Sequence, residues 1–216
     1  MDNNEISRNE LLAQKIIKNL RARHFEAYFC KNKEEARVKA AELISKDETI
    51  SWGGSMTLSE IGLIDYLEKE GYKTINRDKA KTPQERAQIV KEGMFAQNFL
   101  MSANAISYDG EIVNIDGHGN RLSALCFGPE KVIMIIGMNK AVKSLDDAMS
   151  RARNIAAPIN AKRVSSFFEV KTPCIQTGTC ENCKSPSSIC CQILTTRLCC
   201  PENRIKVILV NENLGY

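Results

Sequence analysis

Residues 48–76 read ETISWGGSMTLSEIGLIDYLEKEGYKTIN, and this stretch decides the fold class. A short β-rich run ends at Trp52, and two glycines then lead into residues 57–60, which have the form of a helix-capping box. The apolar residues that follow recur at helical spacing until Gly71, and a second β-rich run covers residues 72–75. The stretch therefore predicts one strand–turn–helix–strand unit.

The same alternation continues on both sides of this unit. Apolar residues at helical spacing predict helices over residues 7–23, 33–45 and 84–97, and another that Ser144 opens and Pro158 ends or bends. β-rich runs predict a hairpin of residues 105–108 and 111–115, a doubly buried strand over 131–137 and a last strand over 204–210. The chain is therefore predicted to be an α/β protein, with a mainly parallel sheet flanked by helices and one antiparallel hairpin.

Composition and charge set limits on the class of protein. The chain has 216 residues, of which 43% are hydrophobic and 26% charged, so disordered and collagen-like chains are excluded. This length favours a single domain over residues 1–216, because the usual prior is about 150 residues per domain. The net charge of +4 is too small and too dispersed to predict a nucleic-acid partner.

The sequence carries no membrane or secretion signal. No apolar run approaches the ~20 residues that are needed to span a bilayer. The N-terminal sequence MDNNEISRNE is polar and lacks the apolar core of a signal peptide. We therefore expect a cytoplasmic protein with no membrane span, in a reducing compartment that disfavours disulfides.

The loop WGGSMT, residues 52–57, lies where a predicted strand meets a helix. Its glycines let the backbone turn sharply and leave amide groups uncovered, and its hydroxyl groups stand at the helix start, an arrangement that favours anions. It is neither a Walker loop nor a G-x-G-x-x-G dinucleotide motif. The alternative is an ordinary glycine-rich turn with a helix cap. The ligand-binding candidates in this loop are Gly53, Gly54, Ser55 and Thr57.

A second candidate loop, NIDGHGNR, covers residues 114–121. Arg121 can clamp a carboxylate or phosphate, and Asp116 can act as a base or can simply fix that arginine. His118 has no nucleophile within sequence reach with which to form a triad. The alternative is a tight loop with an Asp–Arg pair. The candidates are Asp116 and Arg121 as catalytic residues, and Gly117, Gly119 and Asn120 as ligand-binding residues.

A third loop follows the predicted strand of residues 131–137. Asn139 and Lys140 can reach a phosphate or carboxylate in the same crevice, because ligands collect at the carboxyl ends of parallel strands. The alternative for Lys140 is a solvated side chain. Taken alone, Arg151 and Arg153 indicate a solvated helix face.

Nine cysteines are present, and seven of them lie between Cys174 and Cys200. Cys30 and Cys126 are isolated in apolar surroundings and are predicted to be core residues. The spacing C-x5-C-x2-C-x6-C predicts a four-thiolate site in a loop of residues 172–203 inserted before the last strand. Tetrahedral sulfur coordination suits an iron–sulfur cluster or zinc. The predicted metal ligands are Cys174, Cys180, Cys183 and Cys190; redox-active or unligated thiols are the alternatives, and Cys191, Cys199 and Cys200 have no assigned role.

Four segments resemble the lactate-utilisation (LUD) domain family. They are WGGSMT (52–57), SANAISYDGEIVNIDGHGNR (102–121), GPEKVIMIIGMNK (128–140) and RARNIAAPINAKR (151–163), in an order and spacing kept over residues 8–212. The resemblance implies a sugar-phosphate isomerase/CoA-transferase-like fold (NagB/RpiA/CoA transferase-like), in which the loop after the first strand holds a phosphate or carboxylate. The chain departs from the family at His118, where a small hydroxyl residue is expected.

The resemblance also implies a process. Proteins of the family take part in the oxidation of lactate to pyruvate beside iron–sulfur subunits, which favours an iron–sulfur cluster over zinc and suggests an iron–sulfur protein as a partner. Two functions remain open at this point. The chain is either an enzyme or enzyme subunit that binds a small carboxylate or phosphate, or a noncatalytic assembly or electron-transfer partner whose cysteine segment carries the function.

Overall fold

The computed structural model describes residues 2–216 and contains two β-sheets. The first sheet has six strands, and every neighbouring pair in it is parallel. In spatial order its strands are β1 (Glu26–Cys30), β10 (Ile205–Val210), β7 (Lys131–Gly137), β4 (Asn98–Met101), β2 (Thr49–Trp52) and β3 (Lys73–Thr74). The predicted α/β fold with a mainly parallel sheet is confirmed.

The second sheet is smaller and mainly antiparallel. Its strands in spatial order are β8 (Ala141–Val142), β5 (Ala105–Ser107), β6 (Ile112–Asp116) and β9 (Gln192–Thr196). Strands β5 and β6 form the predicted hairpin, β9 pairs antiparallel with β6, and β8 pairs parallel with β5. Strand β9 belongs to the cysteine-rich segment, so that segment is hydrogen-bonded to the strand that leads into the 116–121 loop.

Nine α-helices surround the sheets within the described residues. They are α1 (Asn3–Ala22), α2 (Lys33–Glu42), α3 (Met56–Glu60), α4 (Leu63–Lys69), α5 (Pro83–Gly93), α6 (Asn120–Cys126), α7 (Leu145–Arg151), α8 (Ala157–Val164) and α9 (Cys174–Thr177). A 3₁₀ turn covers Arg77–Lys79, another covers Met138–Lys140, and a π-helical turn, Ala152–Ala156, joins α7 to α8. No helix within residues 2–216 is both long and apolar enough to cross a membrane.

Strand β7 lies between two apolar cores, as its sequence predicts. Val132, Met134 and Ile136 pack with α1, α6 and the hairpin on one face. Ile133 and Ile135 pack with α2, α3 and α4 on the other face. Burial of a large aliphatic side chain contributes about 1.5–3 kcal/mol, so this strand anchors both layers of the fold.

Three predicted helices differ from the observed ones. The helix expected after residue 57 is divided into α3 and α4 at Gly62, whose positive φ of 63° interrupts the helix. The helix expected over residues 84–97 ends at Gly93, before β4. Pro158 does not end a helix, and it does not direct the chain out of one. It lies in the first turn of α8, where a missing N–H is tolerated, after the π-helical turn.

Candidate functional site

Three segments that follow parallel strands meet at one edge of the first sheet. They are residues 53–55 after β2, Ser102 after β4 and the 3₁₀ turn Met138–Lys140 after β7. Neighbouring parallel strands present their carboxyl ends at the same edge, which brings these segments together. The chain end also reaches this edge, because the amide of Gly215 donates to Glu60 Oε2 at 2.7 Å.

Two arginine side chains cross the glycine turn at residues 53–55. A Cβ atom on Gly53 would lie 2.5 Å from the Cγ and Cδ atoms of Arg121, so a glycine here is what lets this side chain pack across the turn. A Cβ atom on Gly54 would lie 3.3 Å from Nη2 of Arg77. The glycines predicted for anion binding therefore also make room for guanidinium groups.

The cap of α3 differs from the predicted one. Ser55 is the N-cap, and its hydroxyl oxygen accepts a hydrogen bond from Leu58 N at 3.3 Å. Thr57, predicted to open the capping box, is buried and its hydroxyl donates to the Leu214 carbonyl at 3.2 Å. The predicted box at residues 57–60 is wrong because this threonine bonds groups that are distant in sequence.

Lys140 is enclosed at the base of the site. Lys140 is only 2% exposed, so the alternative of a solvated side chain is wrong. Its Nζ atom donates to Thr57 Oγ1 at 2.9 Å and to Ser102 Oγ at 3.0 Å. Both acceptors are neutral hydroxyls. The ammonium charge therefore has hydrogen bonds but no counter-charge among its contacts.

Burial lowers the pKa of Lys140 to about 7, and the positive charges of Arg151 and Arg121 act in the same direction, while Glu60 opposes them. Arg151 is itself buried, so a solvated position is wrong for this residue. Its guanidinium donates to the backbone carbonyls of Asn139, at 3.1 Å, and Asn104. A second cation without a carboxylate partner thus lies beside the lysine.

The Asp116 carboxylate holds the loop that carries Arg121. One oxygen accepts from Gly117 N at 2.8 Å and the other from Arg121 N at 3.0 Å. The Nε atom of Arg121 lies 3.4 Å from Asp116 Oδ2, and its Nη2 atom donates to the Ile115 carbonyl. The Asp116 carboxylate therefore holds Arg121 in place. Its action as a base stays a prediction.

A cavity of about 40 Å³ lies between these segments. Three cations line it, Lys140, Arg121 and Arg163, and within residues 2–216 no Asp or Glu side chain lines it. Arg163 is held by the side-chain oxygen of Asn160, at 3.1 and 2.8 Å, which carries no charge. The remaining lining residues are small or polar: Gly54, Ser55, Met56, Ser102, Ala103, Asn104, Asn160 and Tyr216.

Several predicted residues do not line this cavity. Asn139 instead holds the chain end, since its side chain accepts from Leu214 N and donates to the Gly215 carbonyl, both at 3.1 Å. Gly119 has a positive φ of 79° at the start of α6. The predicted binding residues outside the lining are Gly53, Thr57, Gly117, Gly119, Asn120 and Asn139, and Thr57 touches the site only through Lys140.

Seven of the lining residues were not among the predicted ones, including Ser102, Arg163 and Tyr216. Ser102 and Arg163 lie at the ends of segments 102–121 and 151–163, so the resemblance contained a signal for them. Tyr216 is the last residue and carries no sequence signal. Its hydroxyl is buried beside Arg163; burial raises the pKa of this hydroxyl, while Arg163 opposes that shift.

A wider groove of about 480 Å³ continues from the cavity past residues 54–56. Arg77 and Arg86 line it, and Asp78 pairs with Arg86 at 2.9 Å. Burial lowers the pKa of Arg77, whose Nε atom has no hydrogen-bond partner within residues 2–216. The side chains of two consecutive phenylalanines at residues 167–168 complete the groove and remain largely exposed.

The four predicted metal ligands line one further cavity, of about 200 Å³: Cys174, Cys180, Cys183 and Cys190. Arg153 also lines it, and its Nη2 atom donates to Cys180 Sγ at 3.7 Å and to Asn182 Oδ1 at 2.9 Å. Within residues 2–216, no three His, Cys, Asp or Glu side chains are close enough to hold a metal ion as they stand. The four thiols thus line one cavity, and their role as metal ligands stays a prediction.

The other five cysteines lie outside this cavity. Cys30 is buried, as predicted, and burial raises the pKa of its thiol to about 11. Cys126 is exposed at the last position of α6, so its prediction as a core residue is wrong. Cys199 is buried and its Sγ atom accepts from Ile205 N at 3.2 Å, while Cys191 and Cys200 are exposed.

Comparison with known proteins places these features in a family. The family model of the LUD domain matches residues 13–210. A DUF162-family protein of Deinococcus radiodurans is similar in fold, with a TM-score of 0.53, 10% identity and coverage of 94% of this chain and 98% of that one. Ribose 5-phosphate isomerase A of Neisseria gonorrhoeae is 22% identical over 52% of this chain and 54% of its own, with a TM-score of only 0.34. A search of curated proteins finds no significant match. The chain belongs to the LUD domain family.

Proposed function

We propose that this LUD domain binds a small carboxylate or phosphate in the cavity between Lys140, Arg121 and Arg163. The observation that carries the proposal is the excess of positive charge in an enclosed space. Lys140 donates to two hydroxyls and Arg163 to a neutral amide, and Asp116, which pairs with Arg121, is the one carboxylate side chain in an ion pair with any of the three cations within the described chain. Buried charges of one sign are costly unless a counter-charge is present.

An anionic group would supply that counter-charge. Guanidinium groups bind carboxylates and phosphates through two parallel N–H donors, whereas an ammonium group acts as a point charge. Arg121 and Arg163 can provide the first kind of contact and Lys140 the second. The groove beyond residues 54–56 leaves room for the rest of a ligand larger than the cavity.

The family's association with lactate oxidation makes 2-hydroxy and 2-oxo carboxylates the first ligands to test. In this proposal Arg121 holds the carboxylate and Asp116 keeps the arginine in place. Whether Asp116 also takes a proton from the substrate, and whether the domain works beside an iron–sulfur protein, stay predictions. The second function, a noncatalytic electron-transfer or assembly partner, is favoured by the cysteine-lined cavity.

Thermal unfolding in the presence of candidate ligands tests the binding proposal. Lactate, pyruvate, inorganic phosphate, a sugar phosphate and a CoA ester are compared on the wild type, Arg121→Ala and Arg163→Ala. A ligand at about 100 times its Kd stabilises by about 2.7 kcal/mol, or roughly 5–10 °C for a protein of this size. The two variants are expected to lose most of this shift.

Arg197→Ala is the matched control, since Arg197 is exposed and lies outside the cavity. It is expected to keep the full ligand-induced shift. Absence of a shift with every ligand, or an equal loss in the control, would show that the cavity is not an anion site.

A further inference from the structure

The cysteine-lined cavity is built by three separate turns of the chain. Cys174 begins α9, which Gly178 ends with a positive φ of 76°. Asn182, with a positive φ of 50°, reverses the chain between Cys180 and Cys183, and its side chain is held by Arg153. Cys190 lies just before β9, which is paired with β6. Four thiols from a segment of low periodicity are thus brought to one space.

From this arrangement we infer that Cys174, Cys180, Cys183 and Cys190 bind an iron–sulfur cluster through four thiolates. Iron–sulfur clusters of both common types take four cysteine ligands. Each thiol releases its proton to solvent as its sulfur bonds to iron, and the bridging sulfide comes from the cluster itself. The inference concerns binding of the cluster and does not depend on the proposed anion site.

The size of the cavity favours a cluster over a single zinc ion. Zinc holds four sulfurs at about 2.3 Å, which would draw the sulfur atoms into mutual contact and leave almost no space between them. Here the four cysteines are among the residues that line a cavity of about 200 Å³, and within residues 2–216 no three His, Cys, Asp or Glu side chains form a group that could hold one ion as they stand. A cluster of several iron and sulfide atoms suits a space of this size better than one ion does.

The walls of the cavity suit a negatively charged cluster. Apolar groups of Ile115, Ala157 and Pro158 shield one side, and the Arg153 guanidinium donates to Cys180 Sγ. Hydrogen bonds and burial around the sulfurs are the usual means by which proteins tune such clusters.

The cavity also lies directly behind the proposed anion site. Ile115 is one of its lining residues, and the Ile115 carbonyl accepts a hydrogen bond from Arg121 Nη2. A Cβ atom on Gly117 would lie 3.2 Å from the backbone of Ile189, which lines the same cavity. One strand end therefore separates the thiols from the arginine. A functional role for this proximity rests on the proposed function, whereas binding of the cluster does not.

Anaerobic purification followed by reconstitution with ferrous iron and sulfide tests the inference. The wild type is expected to show the broad visible absorption of sulfur-to-iron charge transfer, and near-equal amounts of iron and acid-labile sulfide. Single changes of each of the four cysteines to serine are expected to lower iron content several-fold. Cys126→Ser and Cys191→Ser, at exposed cysteines outside the cavity, are the matched controls and are expected to retain it.

Circular dichroism of each variant distinguishes the loss of one cysteine ligand of the cluster from the loss of the fold. A colourless protein with one zinc ion and no sulfide would overturn the inference, as would metal-free protein after reconstitution. An equal loss of iron in the controls would overturn the ligand set. Arg121→Ala is expected to keep the cluster, and the cysteine variants are expected to keep pyruvate binding. Each proposal can therefore be refuted independently of the other.

Discussion

Replacement of Lys140 by methionine is expected to stabilise the protein at low pH and to have almost no effect at high pH. Methionine has a similar unbranched shape and carries no charge. The pKa of Lys140 is about 7 against an ordinary value of 10.5, and this difference corresponds to a cost of roughly 5 kcal/mol for enclosing the charge, at about 1.4 kcal/mol per pKa unit. The residue is 2% exposed, so solvent screening reduces this cost little.

The cost depends on pH in a defined direction. The folded-state pKa is depressed, so between about pH 7 and 10.5 the unfolded chain binds more protons and wild-type stability rises with pH. Below pH 7 both states are protonated and the full cost is present. The proton-linkage relation gives a cost of enclosing the Lys140 charge of about 5 kcal/mol at pH 6 and about 2 kcal/mol at pH 9.

The substitution also removes two hydrogen bonds, to Thr57 and Ser102, worth about 1 kcal/mol each. Lys140→Met should therefore be more stable than the wild type by about 3 kcal/mol at pH 6, and about equal to it at pH 9. Urea denaturation at both pH values measures the difference. Lys143→Met, at an exposed lysine nearby, is the control and should show no such pH dependence. If the difference between Lys140→Met and the wild type stays constant from pH 6 to 9, the argument from burial is wrong.

Three other predictions address the two sites. Gly53→Ala should displace Arg121, because the new Cβ atom would lie 2.5 Å from its side chain; pyruvate affinity should fall about 10- to 100-fold, as expected for loss of charged hydrogen bonds, and calorimetric titration measures it. Pyruvate affinity of the wild type should fall as pH rises above about 7, up to tenfold per unit, because binding favours protonated Lys140; Lys140→Met should bind weakly with no such dependence, and a flat wild-type profile would contradict the lysine's role. Arg153→Gln should make the cluster harder to reduce, because a positive charge beside Cys180 is lost; potentiometric titration monitored by electron paramagnetic resonance checks this, with Arg197→Gln as control, and an unchanged potential would count against the contact.

Much of the fold follows from local pattern. The apolar run of residues 131–137 is buried on both faces of the sheet, and the turn at Asp109–Gly110 connects the predicted hairpin. Strands β1, β4 and β9 were not predicted. Each has only four or five residues, and its pairing partner is distant in sequence, so no local periodicity marks it.

The candidate site divides in the same way. The sequence by itself determined the glycine turn beside Arg121 and the spacing of the four cysteines, because turns and close-spaced ligands are local chemistry. Only the tertiary structure decided that Lys140 is buried, that Arg163 and Tyr216 reach the same cavity, and that Cys126 is exposed. Whether a side chain is enclosed depends on which distant segments cover it. Residue type and periodicity are local properties and do not predict this.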